Sequence, residues 1–183
     1  AIPAVVNILL DYVFIFILFF SACGYQPVSK ISQNTLGDNV FVEVLVSKSD
    51  PQNSVAVKDG IRNVIIKRLG RDLTSKENAD TTIIASIKSI TFMPLAFDAY
   101  GYANGYKTSV VLAYELRFKN GLVDVLTSEG EYDFYITRKV EGTEFTDSVI
   151  SNEERYRAIT KASEDCFDEL VAKLAIHGLK SQN

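Results

Sequence analysis

YANGYKTSVVLAYELRFKNGLVDVLTSEGEYDFYIT, Tyr102 to Thr137, holds two long runs of period two split by Asn120-Gly121. An Asn-Gly pair suits a tight hairpin because both central positions of such a turn take positive φ, which these residues tolerate best. In the first run Val110, Leu112, Tyr114, Leu116 and Phe118 share one side of a pleated strand, while Lys107, Ser109, Val111, Ala113, Glu115 and Arg117 share the other. One side is core and the other mixed. A third run, Thr81 to Met93, precedes them, and Asp98-Ala99-Tyr100-Gly101 supplies the turn between, with Asn104-Gly105 as a bulge or a rival turn. An antiparallel meander of three strands is predicted.

Before the meander, Val40 to Val46 (VFVEVLV) is β-branched and aromatic with only Glu43 charged, which predicts a strand packed on at least one face. Asp50-Pro51 then offers a cap and a first-position proline, with Asn53 or Ser54 as later caps. Val57, Ile61, Val64 and Ile65 form one apolar stripe, and Lys67-Arg68 followed by Gly70 closes the helix near Leu69. Asp72 to Asp80 reads as a polar connection. After the meander, Arg138 to Asp147 reads as a charged loop, and Ser151 with Glu154 makes a capping box for a long helix to about Ile176. Tyr156, Ile159, Ala162, Cys166, Phe167, Leu170, Val171 and Leu174 trace its buried stripe. The order β-α-β-β-β-α predicts an α+β two-layer sandwich, with a four-stranded, mostly antiparallel sheet, both helices on one face and the other face open.

At the other end of the sequence, Tyr12 to Cys23 (YVFIFILFFSAC) is an apolar run closed by small residues and a cysteine. Its length falls within the roughly 7–15 residues of a signal h-region and short of the ~20 that span a bilayer. Phe20, Ser21, Ala22 and Cys23 read as a lipobox, so residues 1–22 are expected to be a lipoprotein signal peptide and Cys23 the lipidated residue. Its only adduct would be covalent, a diacylglycerol and an N-acyl chain. Residues 23–38 are polar or small without a sustained period and are expected to tether one α+β domain over 39–183.

The 183 residues carry a net charge of −4, which suggests neither nucleic-acid binding nor broad attraction to anionic lipid. With Cys23 lipidated, Cys166 stands alone in a helical pattern beside Phe167, which favours a small buried residue over a reactive thiol. The one histidine, His177, lies near the C-terminus beyond the helical stripe, and one His with one free Cys cannot make the usual metal clusters. No catalytic residue, metal site or cofactor is expected; the remaining enzymatic reading is a carboxylate-only site at Glu141, Glu144 or Asp147. Binding is the favoured chemistry. Phe92, Phe97, Tyr100, Tyr102 and Tyr106 gather around a turn, against a bland reading as ordinary cross-strand pairs. Phe97, Tyr100, Tyr102 and Tyr106 are the partner-docking candidates, and Lys88, Lys107 and Arg117 are the phosphate-facing candidates by strand alternation.

The lipobox running into Cys23-Gly24-Tyr25, the Val-rich first strand, Asp50-Pro51, the stretch from Ser89 through Pro94-Leu95 to Gly101-Tyr102 and the long final helix together resemble the LPS-assembly lipoprotein family, LptE. The resemblance implies a non-catalytic outer-membrane lipoprotein, lipid-anchored and facing the periplasm, that plugs the lumen of the LPS-translocon barrel LptD, helps it assemble and contacts LPS. On that resemblance Lys88, Lys107 and Arg117 become LPS-contact candidates. Gly24, where an Asp would favour inner-membrane retention, implies outer-membrane sorting. A rival of the same architecture is another periplasmic accessory lipoprotein, such as an auxiliary subunit of a lipid-transport ABC system or a cell-wall synthase activator.

Overall fold

The computed structural model describes residues 36–46, 51–136, 140–141, 144–145 and 149–180. The expected leader 1–22, Cys23 and most of the expected 23–38 tether lie outside the described residues, as do Asp50 and Asp147. The elements run β1 (Asn39–Val44), α1 (Pro51–Asn63), β2 (Asp72–Leu73), β3 (Thr81–Phe97), β4 (Ala103–Phe118), β5 (Val123–Tyr135), β6 (Val140–Glu141), β7 (Glu144–Phe145) and α2 (Asn152–Lys180). The class is α+β, as the alternation and the two amphipathic stripes predict.

The main sheet has five strands in the order β2-β1-β3-β4-β5, one more than the four expected. The addition is β2, two residues long, held by the Asp72 N–H to the Asp38 carbonyl and the Thr74 N–H to the Val40 carbonyl, both at 3.1 Å. β1 lies parallel to both β2 and β3, while β3, β4 and β5 form the antiparallel meander. Parallel neighbours need a crossover, and α1 provides it between β1 and β3. The segment expected to be a loop also contains a small ribbon, β6 against β7.

Alternation decides which face is buried. Val40, Val42 and Val44 of β1, Ile83 and Ala85 of β3, and Val110, Leu112, Tyr114 and Leu116 of β4 all point into one core. Each fully buried side chain of this kind contributes roughly 1.5–3 kcal/mol. The core is closed by Val57 and Ile61 from α1, by Val64 and Ile65 from the turn that follows it, and by Ile159, Ala162, Cys166, Phe167, Leu170 and Leu174 from α2. Both helices therefore cover the same face, as expected.

The helix ends follow their local chemistry. α1 continues through a π-helical turn, Val64–Arg68, in which the Leu69 N–H reaches back five residues to the Val64 carbonyl at 3.0 Å. At α2 the capping box is complete: the Glu154 N–H donates to Ser151 Oγ at 3.2 Å, and the Ser151 N–H donates to Glu154 Oε2 at 3.0 Å. Tyr156 departs from the predicted stripe. It is exposed, and its hydroxyl donates to Asp59 Oδ2 on α1 at 2.5 Å, tying one helix to the other.

α2 also seals an edge of the sheet. Asp165, Glu169 and Lys173, spaced four apart on one helical row, reach the outer backbone of β5. Glu169 Oε2 accepts the Glu129 N–H at 2.6 Å, Asp165 Oδ2 accepts the Glu131 N–H at 3.0 Å, and Lys173 Nζ donates to the Thr127 carbonyl at 2.7 Å. Burial raises the Glu169 carboxyl, but its bonds to Lys173 and to the Glu129 amide leave it below its ordinary value. This edge offers little to another strand. Directly beneath, β5 comes so near α2 that a Cβ at Gly130 would lie 2.7 Å from Cys166 Cα and nearer still to the Ala162 carbonyl oxygen and Cys166 nitrogen.

Candidate docking surface

The face without helices is built from alternate residues of β3, β4 and β5. In register, Ile84 lies beside Glu115 and Val125, Ser89 beside Val111 and Glu129, and Met93 beside Lys107 and Asp133. Apolar, hydroxyl and charged side chains are interspersed, which is the mixed face expected from β4.

Two of its three candidate cations are already paired. Lys107 Nζ donates to Glu131 Oε2 at 2.6 Å, and this hydrogen bond, reinforced by the charge, raises the Lys107 ammonium above its ordinary value. Arg117 Nε donates to Glu115 Oε1 at 2.6 Å, two residues away on the same strand face. Lys88 differs. It sits in a β-bulge, where the register skips from Ile87 to Ser89, and its side chain is exposed with no ion pair among the described residues.

The hairpin joining β3 to β4 is ordered by one carboxylate. Asp98 Oδ1 accepts the N–H groups of Tyr100 at 2.9 Å and Tyr102 at 3.0 Å, and the Asp98 N–H donates to the Tyr102 carbonyl at 2.8 Å. Phe97 and Tyr100 are left 62% and 69% exposed, with Met93, Leu95 and Tyr135 also exposed nearby. From Ser89 to Tyr106 the sequence holds a single charged residue, Asp98 itself. An exposed aromatic and aliphatic end with so little charge is the kind of patch that monomeric surfaces seldom leave uncovered.

The four docking candidates do not form one surface. Tyr106 is 8% exposed and stacks on Phe134, with ring centroids 5.8 Å apart. It belongs to a satellite core with Phe134, Ile136 and Ala158, where Phe92 meets Phe134 edge-on and Arg155 lies 4.7 Å over the Phe92 ring. Tyr102 is half-buried at the turn. Phe97 and Tyr100 are the outward pair, and Tyr106 is the prop beneath them. The signal separating them was available: Tyr106 shares its strand parity with Val110 and Leu112.

Cys166 lies in the core. Cys166 is fully buried, and burial raises its thiol; Ser128 Oγ donates to the Cys166 carbonyl at 2.7 Å, and Tyr114 Oη lies 3.5 Å from its sulfur. Burial pushes the Tyr114 hydroxyl well up. Glu141 and Glu144 are backbone partners in the β6–β7 ribbon, and His177 falls in the last turns of α2. Among the described residues, no group of three His, Cys, Asp or Glu is placed to hold a metal ion, and no helix is long and apolar enough to cross a membrane.

The family model for LptE, lipopolysaccharide-assembly, matches residues 41–174, from within β1 to the buried end of α2. The chain belongs to the LptE family. Membership makes it a lipopolysaccharide-assembly lipoprotein, a class of membrane-associated accessory proteins. Similar solved structures include rare lipoprotein B from Shewanella oneidensis, 8% identical over 78% of this chain and 99% of that one, with a TM-score of 0.45. A minor lipoprotein from Acinetobacter baumannii is 7% identical over 76% and 92%, at 0.41. Lipoprotein B from Nitrosomonas europaea is 12% identical over 77% and 84%, at 0.38. No curated protein matches the chain significantly.

Proposed function

We propose that this LptE-family chain is held in the outer membrane by acyl chains on Cys23, seats within an LptD-type barrel, assists that barrel's assembly and contacts LPS as it passes to the outer leaflet. The observation that carries the reading is the charge-poor hairpin end, with Phe97 and Tyr100 exposed, projecting from a sheet whose second face no helix covers. A barrel lumen encloses such a body on all sides, and its polar wall suits the mixed face. The role needs gripping surfaces and no reaction.

Replacing Phe97 to Tyr102 with a short Gly-Ser turn is expected to weaken recovery of the barrel in a pull-down from detergent-solubilised membranes, with helical content by circular dichroism unchanged. Undiminished recovery would remove the hairpin from the docking role. For LPS, Lys88, which has no ion pair among the described residues, is the strongest of the three candidate cations, because phosphate must displace Glu131 from Lys107 or Glu115 from Arg117. Lys88→Glu should therefore reduce retention on an LPS column more than Lys107→Glu does. The reverse order would move the contact to β4.

A further inference from the structure

The sheet treats its two edges unequally. On β5 the outward amides of Glu129 and Glu131 and the carbonyl of Thr127 are taken by side chains of α2. On β1 the odd residues bond β3, as the Leu45 N–H does to the Ala85 carbonyl at 2.9 Å, so the even residues turn their backbone groups outward. Only the first of these is met. β2 pairs with Asn39 and Val40 and then stops, and among the described residues no backbone or side-chain group bonds the outward N–H and C=O of Val42 or Val44. Those four groups open into a groove of about 660 Å³, walled by Lys58 of α1 on one side and Ser75, Lys76 and Glu77 on the other.

Unpaired main-chain donors and acceptors at strand spacing select another main chain, since only an extended backbone repeats the complementary pattern. Glu43 selects further. It lies between Val42 and Val44, half-buried on the open face beside Ile84, and has no ion pair among the described residues. A second copy pairing antiparallel through Val42 and Val44 would set Glu43 directly against its own counterpart, a destabilising like-charge pair. A strand with a cation at that position gains the opposite.

We propose that the outer edge of β1, at Val42 and Val44, accepts an extended strand of a partner protein that places a cationic side chain opposite Glu43. The inference stands apart from the docking role of the hairpin, because the two lie on different parts of the sheet. The test uses the full chain in detergent and the synthetic heptapeptide Thr-Val-Thr-Lys-Thr-Val-Thr with capped ends, with hydrogen–deuterium exchange read at the amides of Val42 and Val44. Saturating peptide is expected to slow both amides at least tenfold, while the Glu129 and Glu131 amides stay unchanged. The same peptide N-methylated at alternate residues should have no effect. Glu43→Lys, a surface change that spares the core, should abolish the response and restore it to a peptide with Glu at the centre. Unchanged exchange at Val42 and Val44 would overturn the proposal. So would protection without peptide that grows with protein concentration, which would mean that a second copy fills the edge.

Discussion

Gly130→Ala is expected to cost about 3 kcal/mol or more, the upper end of what overpacking a close-packed interior does. A methyl at this position would meet Ala162 and Cys166 of α2, and every atom in its way is backbone, so no side chain can rotate aside. The helix must lift off β5. The lift would stretch the bond from Ser128 Oγ to the Cys166 carbonyl, and the bonds by which Asp165, Glu169 and Lys173 seal the outer strand. Aggregation through the uncovered strand should accompany the loss. The comparison is Gly121→Ala, at the hairpin turn, where φ is +85° and nothing lies within 4 Å of the added carbon, so that only backbone strain of about 1–2 kcal/mol applies. Urea midpoints of the two variants decide between them. A smaller shift for Gly130→Ala than for Gly121→Ala would mean that the helix and strand have room to spare.

Cys23→Ala is expected to reduce incorporation of labelled palmitate to background and to leave the chain uncleaved. Acyl chains bind a bilayer in proportion to their buried methylenes, at about 0.8 kcal/mol each, and one chain alone gives only marginal, reversible attachment. The three chains proposed for Cys23 would make that attachment lasting, and one substitution would remove all of them. Cys166→Ala supplies the contrast: that thiol is buried between β4, β5 and α2, so the label should stay at wild-type level. Label persisting in Cys23→Ala, or missing from the unmutated chain, would dismiss the lipobox reading.

What could be read before folding was whatever repeats. The alternation around Val110 to Leu116 set the inner face, Asn120-Gly121 marked where the chain turns, and Ser151 with Glu154 fixed where α2 begins. The ion pair of Lys107 was not legible, because a two-residue Asn-Gly turn would set that lysine opposite Phe134, whereas Asn120 keeps a negative φ and Lys107 lies opposite Asp133; the place of the turn was legible. Features decided by a single tertiary contact were not. β2 exists because Asp72 and Thr74 find the Asp38 and Val40 carbonyls, and two residues have no period to detect. The bulge at Lys88 shifts the rest of β3 by one position, which isolates that lysine from the pairing its neighbours enjoy. Tyr156 has the spacing of a core residue, yet the crossing of the two helices leaves it at the rim beside Asp59. Aromatic clustering at the turn was real, but proximity in sequence mixed the props with the exposed tip.

β3 is 17 residues long and its first residue, Thr81, binds the Leu36 carbonyl at 2.7 Å, whereas its last lies at the Asp98 turn. At about 3.3 Å per residue, the point where the chain leaves its N-terminal segment and the point where it presents Phe97 are some 50 Å apart. β3 is a strut between those two points. In the proposed role the anchor acts ahead of Leu36 and the docking tip acts at Phe97, so a single continuous strand would carry load from one to the other.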